Sequence, residues 1–168
     1  MPSYLTEASM KSIIELVFPG KEIISQFKFE GSRFRYDYKV ENTLVEFDGF
    51  LHYTKSIQQK RDKAKDELAK ENGYNLVRWP YFIQPTTETI LHYFRKHVDY
   101  AQVYEHGFID KEVVLPADFN MKGVNLFVSQ WYGLPPRTSN AVLDSLITKA
   151  KELGKSLVID DDTFDRLA

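Results

Sequence analysis

The order of the elements predicted for residues 23–79 constrains the fold of this chain more than any other feature. Three segments rich in β-branched and aromatic residues are separated by short turns, and a polar helix and one more such segment follow. The predicted strands are Ile23–Phe29, Phe34–Val40, Thr43–Phe50 and Tyr74–Trp79, and the predicted helix is Ile57–Glu71. Short turns favour an antiparallel meander, whereas a strand–helix–strand order favours a parallel crossover. We therefore expect an α/β protein with a mixed central sheet flanked by helices.

Two amphipathic segments predict the helices on either side of this unit. The first covers residues 6–18, with Thr6 as its N-cap and Pro19 as its stop. The second begins at Thr86 or Thr87, and its apolar side is predicted to carry Ile90, Leu91, Phe94 and Val98.

The signals weaken beyond about residue 100. Short strands are predicted at Val113–Leu115 and Leu126–Val128, and a capped helix at Ser139–Leu153. We expect a core at residues 1–98 and a C-terminal α+β elaboration at residues 99–168 that packs on the core and serves substrate recognition.

The composition excludes several classes of protein. The 168 residues are 43% hydrophobic, which suffices for one buried core. No window approaches eighteen consecutive apolar residues, and the first residues carry no apolar signal core, so we expect a cytoplasmic protein without a membrane segment. Cysteine is absent, which removes disulfides and thiolate metal sites. A net charge of −2 means that any nucleic-acid contact depends on a local basic patch.

The third predicted strand places two carboxylates in an otherwise apolar run, LVEFDGFLHY at residues 44–53. Glu46 and Asp48 share one face of the strand because side chains alternate. On the preceding strand, Asp37 is predicted to point away from the face of Phe34, Tyr36 and Tyr38, so that it meets both acids across the turn.

Three converging carboxylates call for a compensating cation, and an all-oxygen set favours Mg²⁺ or Mn²⁺. By spacing alone, a solvent-exposed hairpin face balanced by Arg35 and Lys39 is the commoner arrangement.

Several spaced motifs resemble the PD-(D/E)xK nuclease superfamily. They are RYDY at 35–38, VEFDG at 45–49 followed by His52, a polar helix with Asp62 and Asp66, and GYNLVR at 73–78. The likeness is to the branch of small proteins similar to the very-short-patch-repair endonuclease, which carries an E-x-D-G-x-x-H pattern. It covers about residues 4–80 and implies a restriction-endonuclease-like core with metal-dependent cleavage of DNA.

The resemblance also implies roles for individual residues. Asp37 takes the place of the first metal-binding aspartate, and Glu46 takes the acidic position of the signature. Glu7 is similar to the helix glutamate that reaches the metal site, with Glu15 as its rival. Asp48 stands where the signature has lysine, a departure shared by this branch, and we count it with the catalytic and metal-binding set. His52 or a lysine of the helix, namely Lys60, Lys63 or Lys65, is expected to supply the missing function.

Basic residues near these motifs are the expected DNA contacts. The predicted set is Arg35, Lys55, Lys60, Arg61, Lys63, Lys65, Arg78 and, in the C-terminal segment, Arg137. The sequence thus predicts a Mg²⁺-dependent endonuclease of restriction or repair type that acts on duplex DNA, with a homodimer as one option. The alternatives are a nuclease-like protein that binds nucleic acid or a protein partner without cutting, and an α/β protein with an accidental carboxylate cluster.

Overall fold

Four β-strands form one open sheet in the order β1-β2-β3-β4. The computed structural model describes residues 5–83, 85–101, 120–140 and 143–144. The strands are β1 (Ile23–Phe27), β2 (Tyr36–Val40), β3 (Thr43–Asp48) and β4 (Asn75–Pro80). Neighbours among β1, β2 and β3 pair antiparallel, and β4 pairs parallel to β3. The predicted meander and the predicted parallel crossover are both confirmed.

Helices flank this mixed sheet, as expected for the α/β class. They are α1 (Glu7–Val17), α2 (Leu51–Thr54), α3 (Ser56–Glu71), α4 (Thr87–Phe94) and α5 (Met121–Gly133). Thr6 begins α1 as predicted, because its hydroxyl accepts a hydrogen bond from the Ser9 amide while the Ser9 hydroxyl accepts one from the Thr6 amide. Thr86 begins α4 with the same reciprocal bonds to Thr89.

Two apolar clusters lie against the sheet. The larger contains Val45, Val77 and Trp79 of the sheet together with apolar residues of α1, α4 and α5. The smaller joins Leu44 of β3 to Ala69 of α3. Because side chains alternate along a strand, the even-numbered residues of β3 that follow Leu44 also point towards α3.

The strand predicted at Leu126–Val128 is wrong, because these residues lie inside α5. The buried residues of this helix, Gly123, Phe127 and Trp131, recur every four positions, a spacing that keeps them on one face of a helix. Asn120 caps the helix by accepting a hydrogen bond from the Gly123 amide at 2.8 Å. The apolar triplet Leu-Phe-Val predicts a strand only because so short a run fits the periods of a strand and of a helix equally well.

The predicted apolar side of α4 is also partly wrong. Ile90 and Phe94 are buried, but the Leu91 side chain is 45% exposed. The helix ends at Phe94, since Arg95 adopts a left-handed conformation with φ of 58°. Val98 therefore packs against the core from beyond the helix.

The remaining C-terminal predictions fall largely outside the described residues. The strand predicted at Val113–Leu115 lies outside them altogether, as does most of the helix predicted at Ser139–Leu153. Residues 136–140 are helical, so a helix begins before Ser139. The division near residue 98 stays a prediction.

Helix α5 packs directly on α2. Gly123 lies so close to the backbone of Tyr53 that a Cβ on this glycine would meet the Tyr53 carbonyl oxygen at 1.7 Å. The Tyr53 hydroxyl donates to Gln130 at 2.7 Å, and the Asn120 amide donates to the Tyr53 carbonyl at 3.2 Å. None of the helices in the described part of the chain is long and apolar enough to cross a membrane.

Candidate metal and nucleic-acid site

The hydrogen-bonded ladder between strands β2 and β3 ends next to two of the predicted site carboxylates. Their ladder ends at the pair Tyr38 and Val45, so Asp37 and Glu46 form the next opposing pair, just beyond the last paired residues. The Asp37 carboxylate turns towards β3 and accepts a hydrogen bond from the Phe47 amide at 2.7 Å. This bond replaces a lost ladder bond and fixes the side chain beside Glu46.

The alternation of side chains along β2 is interrupted at the same place. Gln26 of β1 has φ of 54° and lies between residues paired with Tyr36 and Tyr38. Tyr36 belongs to the cluster near α3, and Tyr38 belongs to the larger cluster. The expectation that these two tyrosines share one face is therefore wrong, because the left-handed Gln26 of β1 interrupts the pairing with β2 between the two tyrosines.

Glu7 lies beside Asp37 at the start of α1. The Tyr38 hydroxyl donates to the Glu7 carbonyl at 2.9 Å and ties the helix to the sheet, and Gln26 donates to the Glu7 carboxylate at 3.2 Å. Partial burial raises the pKa of Glu7, and the charge of Asp37 and a hydrogen bond with it raise that pKa further. Its rival Glu15 is exposed on the same helix.

Glu46 is buried, with 3% of its surface exposed, and its partner is a lysine of α3. Lys65 Nζ forms an ion pair with Glu46 Oε1. Burial raises the pKa of Glu46 to about 7, the charge of Asp37 contributes to the rise, and Lys65 and Arg78 oppose it. Of the three lysines considered for the missing function, Lys65 is the one that contacts a carboxylate of the strand.

Tyr36 holds Lys65 in this position. Its hydroxyl donates to the Lys65 carbonyl at 2.7 Å, and its ring lies 5.0 Å from Lys65 Nζ. The ammonium therefore lies between a carboxylate and an aromatic ring, both of which favour a cation.

Asp48 shares a face with Glu46 but has different neighbours. Arg78 Nη1 donates to Asp48 Oδ1 at 2.9 Å, and Arg78 Nε donates to Asp66 Oδ1 at 2.7 Å. Burial raises the pKa of Asp48, while the positive charges of Arg78 and His52 oppose this rise. The arginine thus joins β3 to α3 through two carboxylates.

His52 belongs with Asp48 and Arg78 to a second cluster of charged side chains. Its Nδ1 lies 2.7 Å from Asp62 Oδ2 and 3.4 Å from Asp48 Oδ1. Burial alone would lower the pKa of His52, but the hydrogen bond to Asp62 and the charge of Asp48 raise it overall. The histidine is therefore oriented by two carboxylates, that of Asp48 at the end of β3 and that of Asp62 in α3.

The carboxylates around the end of the β2–β3 ladder have the donor chemistry of a Mg²⁺ site. Asp37, Glu46 and Glu7 offer only carboxylate oxygens, the ligands that hard cations prefer. Within the described parts of the chain, no three or more acidic, histidine or cysteine side chains converge as a ready-made metal set. Mg²⁺ is commonly held by one or two carboxylates together with substrate phosphates. Asp37 and Glu46 fit such a site, which a bound phosphodiester would complete.

A cleft of about 690 Å³ opens beside Lys65, between the segment that precedes β2 and the first half of α3. Its cationic lining consists of Arg33, Arg35, Lys60, Arg61 and Lys65. No Asp or Glu lines it among the residues that the structure describes. Four of the five cations belong to the set predicted to contact DNA.

The other predicted DNA contacts lie elsewhere. Lys55 and Lys63 are exposed on or next to α3, and the guanidinium of Arg78 is engaged by carboxylates inside the protein. Arg137 is 89% exposed, and its Nη1 lies 3.6 Å from Glu88 Oε1. Trp131, another residue of the C-terminal segment, is buried and donates from its indole to the Ser139 carbonyl at 3.1 Å.

Sequence reasoning missed the supporting roles of Tyr36 and Asp62. A signal was present in α3, where Asp62, Lys65 and Ala69 are three and four residues apart and so share one face. An apolar residue on that face marks it as the buried one. No comparable signal in the sequence identifies Tyr36.

Comparisons with models of known protein families, with curated proteins and with solved structures find no match for this chain.

Proposed function

We propose that this protein is a Mg²⁺-dependent DNA endonuclease with a restriction-endonuclease-like core of the PD-(D/E)xK type. The observation that carries the proposal is the group formed by Asp37, Glu46 and Lys65. Two carboxylates lie next to each other where two strands separate, and a buried lysine pairs with one of them. A strand carboxylate paired with a lysine is the combination that the signature of this superfamily requires, here with the lysine on a helix.

The chemistry of the group suits hydrolysis of a phosphodiester. Bound Mg²⁺ would lower the pKa of a coordinated water and neutralise charge on the phosphate. Asp37 and Glu46 would hold the ion. Lys65 would stabilise negative charge developing on the phosphate next to Glu46, where the buried setting strengthens electrostatic interactions.

The basic cleft supports DNA as the substrate. It opens at Lys65, so a backbone bound along its cations would lead to the carboxylate pair. Restriction or repair in the cytoplasm is the proposed setting. A homodimer would be needed to cut both strands of a symmetric site, because one metal site per chain makes one cut.

Incubation of supercoiled plasmid with the purified protein and MgCl₂ tests the proposal. Conversion to nicked or linear plasmid is expected, with EDTA abolishing it and MnCl₂ supporting it. Products with extendable 3′-hydroxyl ends would agree with hydrolysis. The proposal fails when both the plasmid and a single-stranded circular DNA stay intact with both metals at protein concentrations that saturate binding.

A nuclease-like protein that binds without cutting is the second candidate. The Lys65–Glu46 ion pair favours it, because the lysine already neutralises the carboxylate that a metal would need. Saturable binding of plasmid without Mg²⁺-dependent cleavage would select this alternative.

A further inference from the structure

The cleft beside Lys65 contains apolar surface as well as charge. Phe34 and Ile57 line it together with the cations. Ile57 is 63% exposed, and Phe34, in the described structure, belongs to neither apolar core cluster. An exposed isoleucine and an accessible aromatic ring inside a basic groove indicate a ligand that brings both phosphate and flat apolar surface.

Phe34 is the aromatic residue of this lining. The ring is half-buried, and the Arg33 guanidinium lies 5.2 Å from its centre. An aromatic ring paired with a guanidinium offers the stacking surfaces on which proteins hold unpaired bases. A paired base inside a duplex cannot present its face to such a ring.

The size of the cleft leads to the same conclusion. Its volume of about 690 Å³ falls within the range of pockets that enclose small ligands, roughly 300–1,000 Å³. A nucleotide or two fits such a volume. The volume therefore agrees with a short stretch of one strand, and the stacking surface of Phe34 is the feature that selects an unpaired base.

We propose that the substrate strand enters this cleft with unpaired bases, one of which stacks on Phe34, while the cations Arg35, Lys60 and Arg61 contact its phosphates. The preferred DNA is then single-stranded, or duplex with a locally unpaired segment, in place of the fully paired duplex expected from the sequence. This inference rests on the proposed function, because the strand held in the cleft is the one that reaches Glu46.

Fluorescence anisotropy in EDTA measures binding without cleavage. The probes are a labelled single strand, its fully paired duplex and the same duplex with a three-nucleotide bulge. We expect the single strand and the bulged duplex to bind at least about tenfold more tightly than the paired duplex. Phe34→Ala should weaken binding of the single strand by about 5- to 150-fold, the range for one lost base stack, and change binding of the paired duplex less than twofold.

Two further variants test whether weaker binding by Phe34→Ala results from loss of the stacking surface or from loss of structure. Phe34→Trp keeps the stacking surface and should bind the single strand like the wild type. Leu91→Ala removes an exposed apolar side chain on α4 and should leave all three affinities unchanged. Tighter binding of the paired duplex, or an equal loss for all probes in Phe34→Ala, would overturn the inference.

The outcomes separate this inference from the proposed nuclease activity. Phe34-dependent preference for unpaired DNA without Mg²⁺-dependent cleavage would keep the cleft assignment and reject the nuclease. Mg²⁺-dependent cleavage with a preference for fully paired duplex would keep the nuclease and reject the cleft assignment.

Discussion

Lys65 of α3 forms a buried ion pair with Glu46 of β3, although 19 positions separate them in the chain. Strand β3 carries an aspartate, Asp48, where a nuclease signature would have lysine, and that aspartate is engaged by Arg78. The positive charge next to Glu46 thus comes from a helix that packs on the strand. This relationship is the basis of the nuclease proposal, because it places a positive charge next to the carboxylate pair of the sheet.

Replacing Lys65 by Met should abolish cleavage and also destabilise the fold. An unpaired charge buried at Glu46 costs on the order of 3 kcal/mol, and the cost should shrink as pH falls through about 7, because Glu46 then takes up a proton and Lys65 no longer opposes that uptake. We expect cleavage to fall by at least about 100-fold at saturating DNA. Urea denaturation and single-turnover cleavage at pH 6 and pH 8 measure the two effects. Lys63→Met, on an exposed position of the same helix, is the control and should change neither.

The raised pKa of Glu46 predicts how stability depends on pH. A carboxyl group whose pKa is higher in the folded state makes the fold less stable as pH rises from its unfolded value of 4.5 to about 7. Glu46→Gln should therefore gain stability relative to the wild type between pH 5 and pH 8, by about 1–3 kcal/mol. Parallel urea titrations of both proteins at the two values measure this difference. Glu71→Gln on α3 is exposed and should show no such change, and a constant difference between Glu46→Gln and the wild type would contradict the assignment.

Two arginines from the predicted DNA-binding set should behave in opposite ways. Arg78→Met leaves Asp48 buried without its main partner and should lower the free energy of unfolding by about 3–5 kcal/mol. Arg35→Gln, in the cleft, should leave stability within about 0.5 kcal/mol but weaken DNA binding and reduce its salt dependence. Thermal denaturation and anisotropy titrations at two salt concentrations distinguish the roles. Equal effects of both substitutions on stability would show that the cleft arginine is also structural.

The close approach of α5 to α2 predicts a selective effect of alanine at one glycine. Gly123→Ala would place a methyl group against the Tyr53 carbonyl, so α5 must shift and the protein should lose several kcal/mol or release the helix. Gly133→Ala in the same helix meets no atom within 4 Å and should be neutral or slightly stabilising. Thermal melts of both variants test this. Wild-type stability of Gly123→Ala would mean that α5 does not pack as described.

The sequence predicted the sheet well because local rules decide it. The two-residue turn at residues 41–42 and the spacing of apolar residues in residues 23–79 are sufficient to define the meander and the crossover. Thr6 and Thr86 were recognisable because a capping hydroxyl acts on amides two or three residues away. The run at Leu126–Val128 was misread because a three-residue apolar stretch fits either period.

The site was less predictable because it depends on tertiary contacts. Asp37 and Glu46 are opposed by strand register, which the turn fixes, so their proximity could be anticipated. Lys65 contacts Glu46, whereas Lys60 and Lys63 do not, because of the face of α3 that packs on the sheet. The sequence alone does not show that contact. The engagement of Asp48 by Arg78 depends on the pairing of β3 with β4, so spacing along one strand could not separate Asp48 from Glu46.

The most direct test of the central claim compares Mg²⁺-dependent plasmid cleavage by Asp37→Asn and Glu15→Gln. Asp37 lies beside Glu46 in the proposed metal site, whereas Glu15 is an exposed glutamate of α1. We predict a loss of at least about 100-fold in Asp37→Asn with the fold intact, because an amide is a poor ligand for Mg²⁺, and wild-type activity in Glu15→Gln. Wild-type cleavage by a folded Asp37→Asn protein would contradict the proposed nuclease site.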